Sequence, residues 1–87
     1  MPAFPNPFNP ETKIRYLLPQ DSRVTLHVYN TLGELVKVLV NESKKAGQHE
    51  IHWDGTNEGG YRVSSGVYLY RIQANSFFDV KKVLLVN

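Results

Sequence analysis

The sequence predicts an all-β domain, an antiparallel β-sandwich built from six or seven short strands. Three observations favour this fold class. Runs of alternating apolar and polar residues recur along the chain, clusters of turn residues separate them at intervals of about 8–14 residues, and no segment has a convincing helical period. The five tyrosines and four phenylalanines also favour strands. A chain of 87 residues is long enough for one domain with a modest core.

The first half of the chain supplies three strand candidates. Residues 12–18, TKIRYLL, and residues 23–29, RVTLHVY, alternate with a period of two, and a proline ends the first of them. Between the second and third candidates, Gly33 suits a turn position with positive φ. The run ELVKVLV at residues 34–40 fits a helix or a strand, and its three valines favour a strand. The positions predicted to face inward in the first two runs are Ile14, Tyr16, Leu18, Val24, Leu26 and Val28.

The second half supplies the remaining strands. Residues 41–47 are predicted to be a polar loop, and residues 48–53, QHEIHW, alternate again. The densest turn cluster, DGTNEGG at residues 54–60, leads through a brief apolar run to the strongest strand, VYLYRIQA at residues 67–74. A tight turn then precedes the last strand, residues 77–86. The residues predicted to share a face on these strands are His49, Ile51 and Trp53, and then Tyr68, Tyr70, Ile72 and Ala74.

The chain begins with a proline-rich stretch, FPNPFNPET, that starts at Phe4. Its three prolines each fix φ and remove a backbone donor, so the stretch cannot be a helix or a central strand. We expect residues 1–11 to be an extended lead-in that ends a linker, and residues 12–87 to be the sandwich. Phe8 is expected to fill one end of the core. The domain is therefore expected to be a module of a larger protein.

Composition argues against several classes of function. The chain has no cysteine, which excludes a disulfide framework, thiolate catalysis and cysteine-ligated zinc. Its net charge is +2 and its basic residues are scattered, whereas nucleic-acid binding favours a basic stripe. No segment approaches the ~20 apolar residues of a membrane helix. We therefore expect no nucleic-acid partner and no transmembrane segment.

No pattern of catalytic or metal-binding residues stands out. His49 and His52 are three residues apart, so on a strand they point to opposite faces and cannot chelate one ion together. The loop at Asp54 resembles a calcium loop only superficially, because Ser65 stands where a bidentate glutamate is required. Asp54 and Asn57 are predicted to form turns with their own backbone. We expect no enzymatic activity, no metal and no cofactor.

The aromatic residues of the sequence leave one binding function open as an alternative. Four aromatic residues, Trp53, Tyr61, Tyr68 and Tyr70, could form a flat platform for a polysaccharide. The chain would then be an accessory carbohydrate-binding module of a polysaccharide-degrading enzyme. A coplanar, exposed row of these rings would favour this function, and burial of Trp53 would oppose it.

A combination of short motifs resembles one family. In chain order, FPNPFNPET, IRYLLP, VTLHVYNTLGELVKVLV, AGQHEIHWDG, SSGVYLYRIQA and KKVLLVN are similar to the C-terminal sorting domain of proteins exported by the type IX secretion system. The stretch HWDGTNEGGYRVSSGVYLYRI also resembles the related Ig-like domain of the flagellar hook-capping protein. The likeness runs from Phe4 to Val86.

The resemblance implies a seven-stranded Ig-like, or fibronectin-like, sandwich at the C-terminus of a secreted protein. Such a domain is non-catalytic. The outer-membrane secretion machinery recognises it, and the cargo that precedes it, often a hydrolase or an adhesin, reaches the cell surface or is released. A purely structural Ig-like spacer is a further alternative.

The resemblance also implies where partners bind, namely toward the C-terminal end of the domain. For Val67 and Tyr68, the competing explanation is plain packing within the strand. For Lys81 and Lys82, it is charge on an edge strand, which discourages aggregation. The implied recognition residues are Gly66, Val67, Tyr68, Lys81, Lys82, Val83, Leu84, Leu85 and Val86.

Overall fold

The structure, a computed structural model, describes residues 12–86, and all regular secondary structure in this range is β-strand. The all-β prediction is confirmed. The proline-rich lead-in and Phe8 lie outside the described residues. The six strands, in chain order, are β1 Thr12–Leu18, β2 Ser22–Tyr29, β3 Leu35–Lys44, β4 Gly47–Trp53, β5 Gly66–Ala74 and β6 Phe77–Leu85.

The strands form two antiparallel sheets of unequal size. β1 pairs with β4 in a two-stranded sheet, and the other four strands follow the order β3-β2-β5-β6. The inner faces of both sheets contribute buried side chains to a shared core, as an antiparallel sandwich requires. The predicted alternation is confirmed along β2, where Val24, Leu26 and Val28 are fully buried.

The core consists of two clusters of buried apolar side chains. The larger cluster joins Ile14 and Leu18 of β1 to residues of β2, β3 and β5. The smaller cluster surrounds Trp53, which is 0% exposed. The indole ring meets the ring of Tyr68 edge-on at a centroid distance of 5.1 Å, and its Nε1–H donates to the Thr56 carbonyl oxygen at 2.9 Å. Burial and a satisfied polar atom together hold Trp53 in place.

Two parts of the strand prediction are wrong. The polar loop expected at residues 41–47 is mostly strand, because β3 continues to Lys44 and only two residues connect it to β4. The end of β3 pairs with the start of β2, so backbone hydrogen bonds rather than apolar side chains extend it. The brief run at residues 61–63 forms only an isolated bridge between Thr56 and Arg62. The described part of the chain therefore has six strands.

Turns that the sequence predicted do connect the strands of the larger sheet. The side-chain oxygen of Asn30 accepts hydrogen bonds from the backbone N–H groups of Leu32 and Glu34, at 2.9 and 3.0 Å. Gly33 follows with a φ of 83°, as predicted. Asn75 adopts a φ of 57° in the two-residue turn between β5 and β6, a conformation that asparagine tolerates better than most residues.

Candidate functional site

The residues implied to recognise a partner come together at one edge of the larger sheet. Among the strands of residues 12–86, β6 pairs only with β5 and is therefore at the edge of the larger sheet. The antiparallel register places Val67 opposite Leu84 and Tyr68 opposite Val83. The segments 66–68 and 81–86, which are separate in the sequence, thus lie side by side in the sheet.

These residues divide between the two faces of the sheet. Leu85 is 1% exposed and belongs to the core. Tyr68 is also buried, and its hydroxyl donates to the Ser64 carbonyl oxygen at 2.6 Å. Leu84, in contrast, is 66% exposed on the outer face. Only the outward-facing members of the set are accessible to a partner on that face.

The outer face of β6 carries an unusual number of exposed apolar side chains. We call this set, together with Val67 of β5, the outer strip. The guanidinium of Arg71 lies over the ring of Phe78, 5.4 Å from its centroid, and Lys82 adds a second positive charge between the apolar residues. Exposed apolar side chains in a row on one strand are typical of interaction surfaces. The outer strip consists of Val67, Phe78, Val80, Leu84 and Val86.

The opposite edge of the same sheet is covered at Val36 and Val38 of β3. The Glu58 carboxylate, from the loop between β4 and β5, accepts a hydrogen bond from the backbone N–H of Val38 at 2.6 Å. The backbone N–H of Glu58 donates to the Val36 carbonyl oxygen at 3.0 Å. The Lys37 ammonium also bonds to Thr56 and Asn57 of this loop. The bonds at Val36 and Val38 occupy backbone groups of β3 that would otherwise be open to another strand.

β6 is far less protected. Within residues 12–86 its backbone has one cap from a side chain, the Asp79 carboxylate, which accepts from the N–H of Val80 at 2.9 Å. In the part of the chain that the structure describes, no strand other than β5 pairs with it. Sequence reasoning pointed to the last strand through a family resemblance, but it missed the role of Glu58. Nothing in a polar turn cluster indicates which residue reaches a distant strand edge.

Replacement of Glu58 by alanine is expected to open the β3 edge. The loss of the hydrogen bond to Val38 should lower the free energy of unfolding by about 1 kcal/mol and increase self-association. Urea denaturation and light scattering would measure the two effects. Glu42→Ala is the matched control, because the exposed Glu42 lies on the same strand and its carboxylate pairs with the side chain of the half-buried Lys44. If the two variants had the same free energy of unfolding and the same degree of self-association, the capping role of Glu58 would be contradicted.

The loop between β4 and β5 is organised by side chains that bond to nearby backbone. The Asp54 carboxylate accepts from the hydroxyl of Thr56 at 2.6 Å and from its backbone N–H at 3.1 Å. The side-chain oxygen of Asn57 accepts from the N–H groups of Gly59 and Tyr61, at 3.0 and 3.1 Å. The prediction that Asp54 and Asn57 form turns is confirmed. Their side-chain oxygens accept hydrogen bonds from residues of the loop itself rather than bind a shared ligand.

The loop should weaken in acid. The hydrogen bond from the Thr56 hydroxyl, with smaller help from backbone N–H groups, lowers the pKa of Asp54. A lowered folded-state pKa contributes stability above the unfolded value of about 3.9, and this contribution is lost as the pH falls through the folded pKa. The stability difference between the wild type and Asp54→Asn should therefore be constant above about pH 5 and shrink below pH 4. The midpoints of urea denaturation of both proteins, measured across this pH range, would show the change. A stability difference that does not depend on pH would contradict the prediction.

The aromatic platform proposed for a polysaccharide does not form. Trp53 and Tyr68 are buried against each other, whereas Tyr61 is 74% exposed, so these rings make no coplanar exposed row. Among residues 12–86 there is no cluster of three or more histidine or carboxylate side chains suited to a metal ion. The same range contains no helix with the length and apolarity of a membrane span.

Comparisons with known proteins agree with this architecture. A model of the FlgD Ig-like domain matches residues 9–76. No curated protein matches the chain. Among solved structures, dimeric latent PorU from Porphyromonas gingivalis is 27% identical with a TM-score of 0.70, over 95% of this chain and 9% of PorU.

Two FlgD structures share the fold. FlgD from P. aeruginosa is 24% identical with a TM-score of 0.69, and the match covers 86% of this chain and 58% of that one. FlgD from Xanthomonas campestris, a hook-capping protein, is 22% identical with a TM-score of 0.68, over 88% of this chain and 56% of that one. The chain thus spans less than two thirds of each of these proteins. Its fold and the match to the family model show that it belongs to the FlgD Ig-like domain family.

Proposed function

We propose that this domain is a non-catalytic C-terminal sorting and anchoring domain, which directs a larger secreted protein through the type IX secretion system to the cell surface. The observation that carries the proposal is the contrast between the two edges of the larger sheet. β3 is capped at Val38 by Glu58, whereas β6, which carries most of the outer strip, pairs with no described strand other than β5. The motif resemblance, and the likeness to PorU, a type IX secretion protein, support it.

The proposed partner is a component of the outer-membrane secretion machinery. An open edge strand offers backbone N–H and C=O groups to an added strand, which would provide affinity. Exposed side chains beside that edge would provide specificity, chiefly Leu84, Val86 and the Lys82 ammonium. The cargo domain, a hydrolase or an adhesin, would precede residue 1. Tyr68 and Leu85 would act indirectly, by holding β5 and β6 in the core.

An export assay tests the proposal. Residues 1–87 are fused to the C-terminus of a reporter with its own signal peptide, in a bacterium with working type IX machinery. Leu84→Asp places a charge on the outer strip, and Leu17→Asp is the matched control. The two leucines are 66% and 65% exposed, but Leu17 lies on β1 of the other sheet. Both substitutions should leave the fold intact, because neither side chain is buried.

The expected result is export of the wild-type and Leu17→Asp fusions and retention of the Leu84→Asp fusion in the periplasm. If the wild-type fusion is retained in a host that exports its own cargo, the sorting function is wrong and a structural spacer is favoured. If all three fusions are exported equally, the domain is a sorting signal that the machinery recognises at another surface.

A further inference from the structure

β6 has one edge that no strand of residues 12–86 covers, and the backbone groups along this edge belong to every second residue. A two-residue turn joins β5 to β6, so Ala74 and Phe77, which flank the turn, form a hydrogen-bonded pair. Because these groups alternate along a strand, the even-numbered residues of β6 point their N–H and C=O groups away from β5. The outward groups belong to Phe78, Val80, Lys82 and Leu84.

The charged residues of β6 suit a second copy of the same strand. Asp79 and Lys81 lie on either side of Val80 and, because they are two residues apart, on one face of the sheet. When two copies of β6 run antiparallel with Val80 opposite Val80, the Asp79 of each copy lies opposite the Lys81 of the other. Two pairs of opposite charges then stabilise the contact, because directly opposite side chains of adjacent strands are close enough to interact.

Other registers of the same pairing are less favourable. A pair centred on any of the charged residues of β6 would place two like charges directly opposite each other, which destabilises adjacent strands. A pair centred nearer either end of the strand avoids this, but at most two residues then pair on either side of the centre. The register centred on Val80 pairs three residues on either side, over residues 77–83 of both copies. Charge and length therefore favour one register.

The exposed apolar side chains of β6 also fit this register. Val80, which is 48% exposed, would meet its own copy on the outer face. Phe78, which is 61% exposed, would lie opposite the Lys82 of the other copy, and an ammonium beside an aromatic ring is favourable. The two outer strips would become continuous, so the pair would leave less apolar surface in water than two separate copies do.

We propose that two copies of this domain pair edge to edge through β6, antiparallel and with Val80 on the two-fold axis. The two larger sheets, each of four strands, become one sheet of eight strands. The Asp79 carboxylate leaves the Val80 N–H, which then bonds to the other copy, and pairs with the Lys81 of that copy. A domain paired in this way could not offer the same edge to the secretion machinery. The pairing uses described residues of the domain alone and does not depend on the sorting function.

Reversal of the two charges tests the proposal on the full chain of 87 residues. Asp79→Lys and Lys81→Asp are purified separately, and sedimentation equilibrium measures the dissociation constant of the dimer for each variant and for the wild type. Each variant alone places two like-charge pairs in the contact. An equimolar mixture of the two variants restores both opposite-charge pairs, because one copy then carries two lysines at these positions and the other carries two aspartates.

The expected result is a wild-type dimer whose dissociation constant rises at least about tenfold in each single variant and returns to near the wild-type value in the mixture. Such a recovery would not occur if the variants had lost their fold, and far-UV circular dichroism checks that each is folded. A wild type that remains monomeric up to about 1 mM would overturn the proposal. A dimer that the single variants do not weaken, or that the mixture does not restore, would also overturn it.

Leu84→Asp separates edge pairing from the stacking of two outer strips face to face. Leu84 belongs to the outer strip but lies beyond the paired residues 77–83, so the dissociation constant of this variant should stay within about threefold of the wild-type value. If Leu84→Asp is monomeric while the charge variants still dimerise, the outer strips stack face to face and the edge pairing is wrong. Because the same variant is expected to lose export but to keep the dimer, the two proposals can fail separately.

Discussion

Replacement of Trp53 by alanine is expected to lower the free energy of unfolding by about 3–5 kcal/mol, enough to unfold much of the population of a domain this small. The indole is fully buried and is the central side chain of the smaller core cluster, so alanine leaves a cavity. The substitution also removes the donor to the Thr56 carbonyl oxygen. Urea denaturation followed by far-UV circular dichroism is the appropriate measurement, because the variant has no tryptophan to report by fluorescence.

Two further substitutions separate the contributions to this effect. Trp53→Phe keeps an aromatic ring against Tyr68 and loses the hydrogen bond, so its loss of stability should be smaller than that of Trp53→Ala. Tyr61→Ala removes an exposed ring from the adjoining loop and should change stability by less than about 0.5 kcal/mol. If Trp53→Ala were as stable as Tyr61→Ala, the buried position of the indole would be wrong.

Leu85→Ala is expected to lower the free energy of unfolding by about 2–5 kcal/mol, whereas Leu84→Ala should change it by less than about 0.5 kcal/mol. The residues are neighbours on β6 and chemically identical, but they face opposite sides of the sheet. Urea denaturation of both variants measures the difference, and equal losses would contradict the register of β6. In the export assay, Leu84→Ala should reduce export without reducing stability.

The period-two pattern and the turn residues were sufficient to predict the fold class. A strand alternates its side chains between two faces, so a run such as RVTLHVY specifies which residues are buried once one face meets a core. Gly33 likewise specifies a turn locally, through its freedom to adopt a positive φ. These features depend on neighbouring residues alone, and they were predicted correctly.

The errors arose where pairing, rather than side-chain chemistry, extends a strand. The end of β3 is polar and exposed, so its residues resemble a loop, but their backbone groups pair with β2. The opposite error occurred at residues 61–63, where an apolar run that could be a strand has no adjacent strand to form more than one bridge. A sequence pattern cannot show whether a partner strand is present.

The sequence by itself therefore determined the architecture of this protein: an all-β sandwich, its inward-facing residues and its turns. The tertiary structure alone decided which strand edges are open. Glu58 caps the edge of β3 at Val38 from twenty residues away along the chain, whereas β6 has β5 as its one pairing strand within residues 12–86. The physical reason is that burial follows a local period, whereas the protection of an edge depends on contacts between segments distant in sequence.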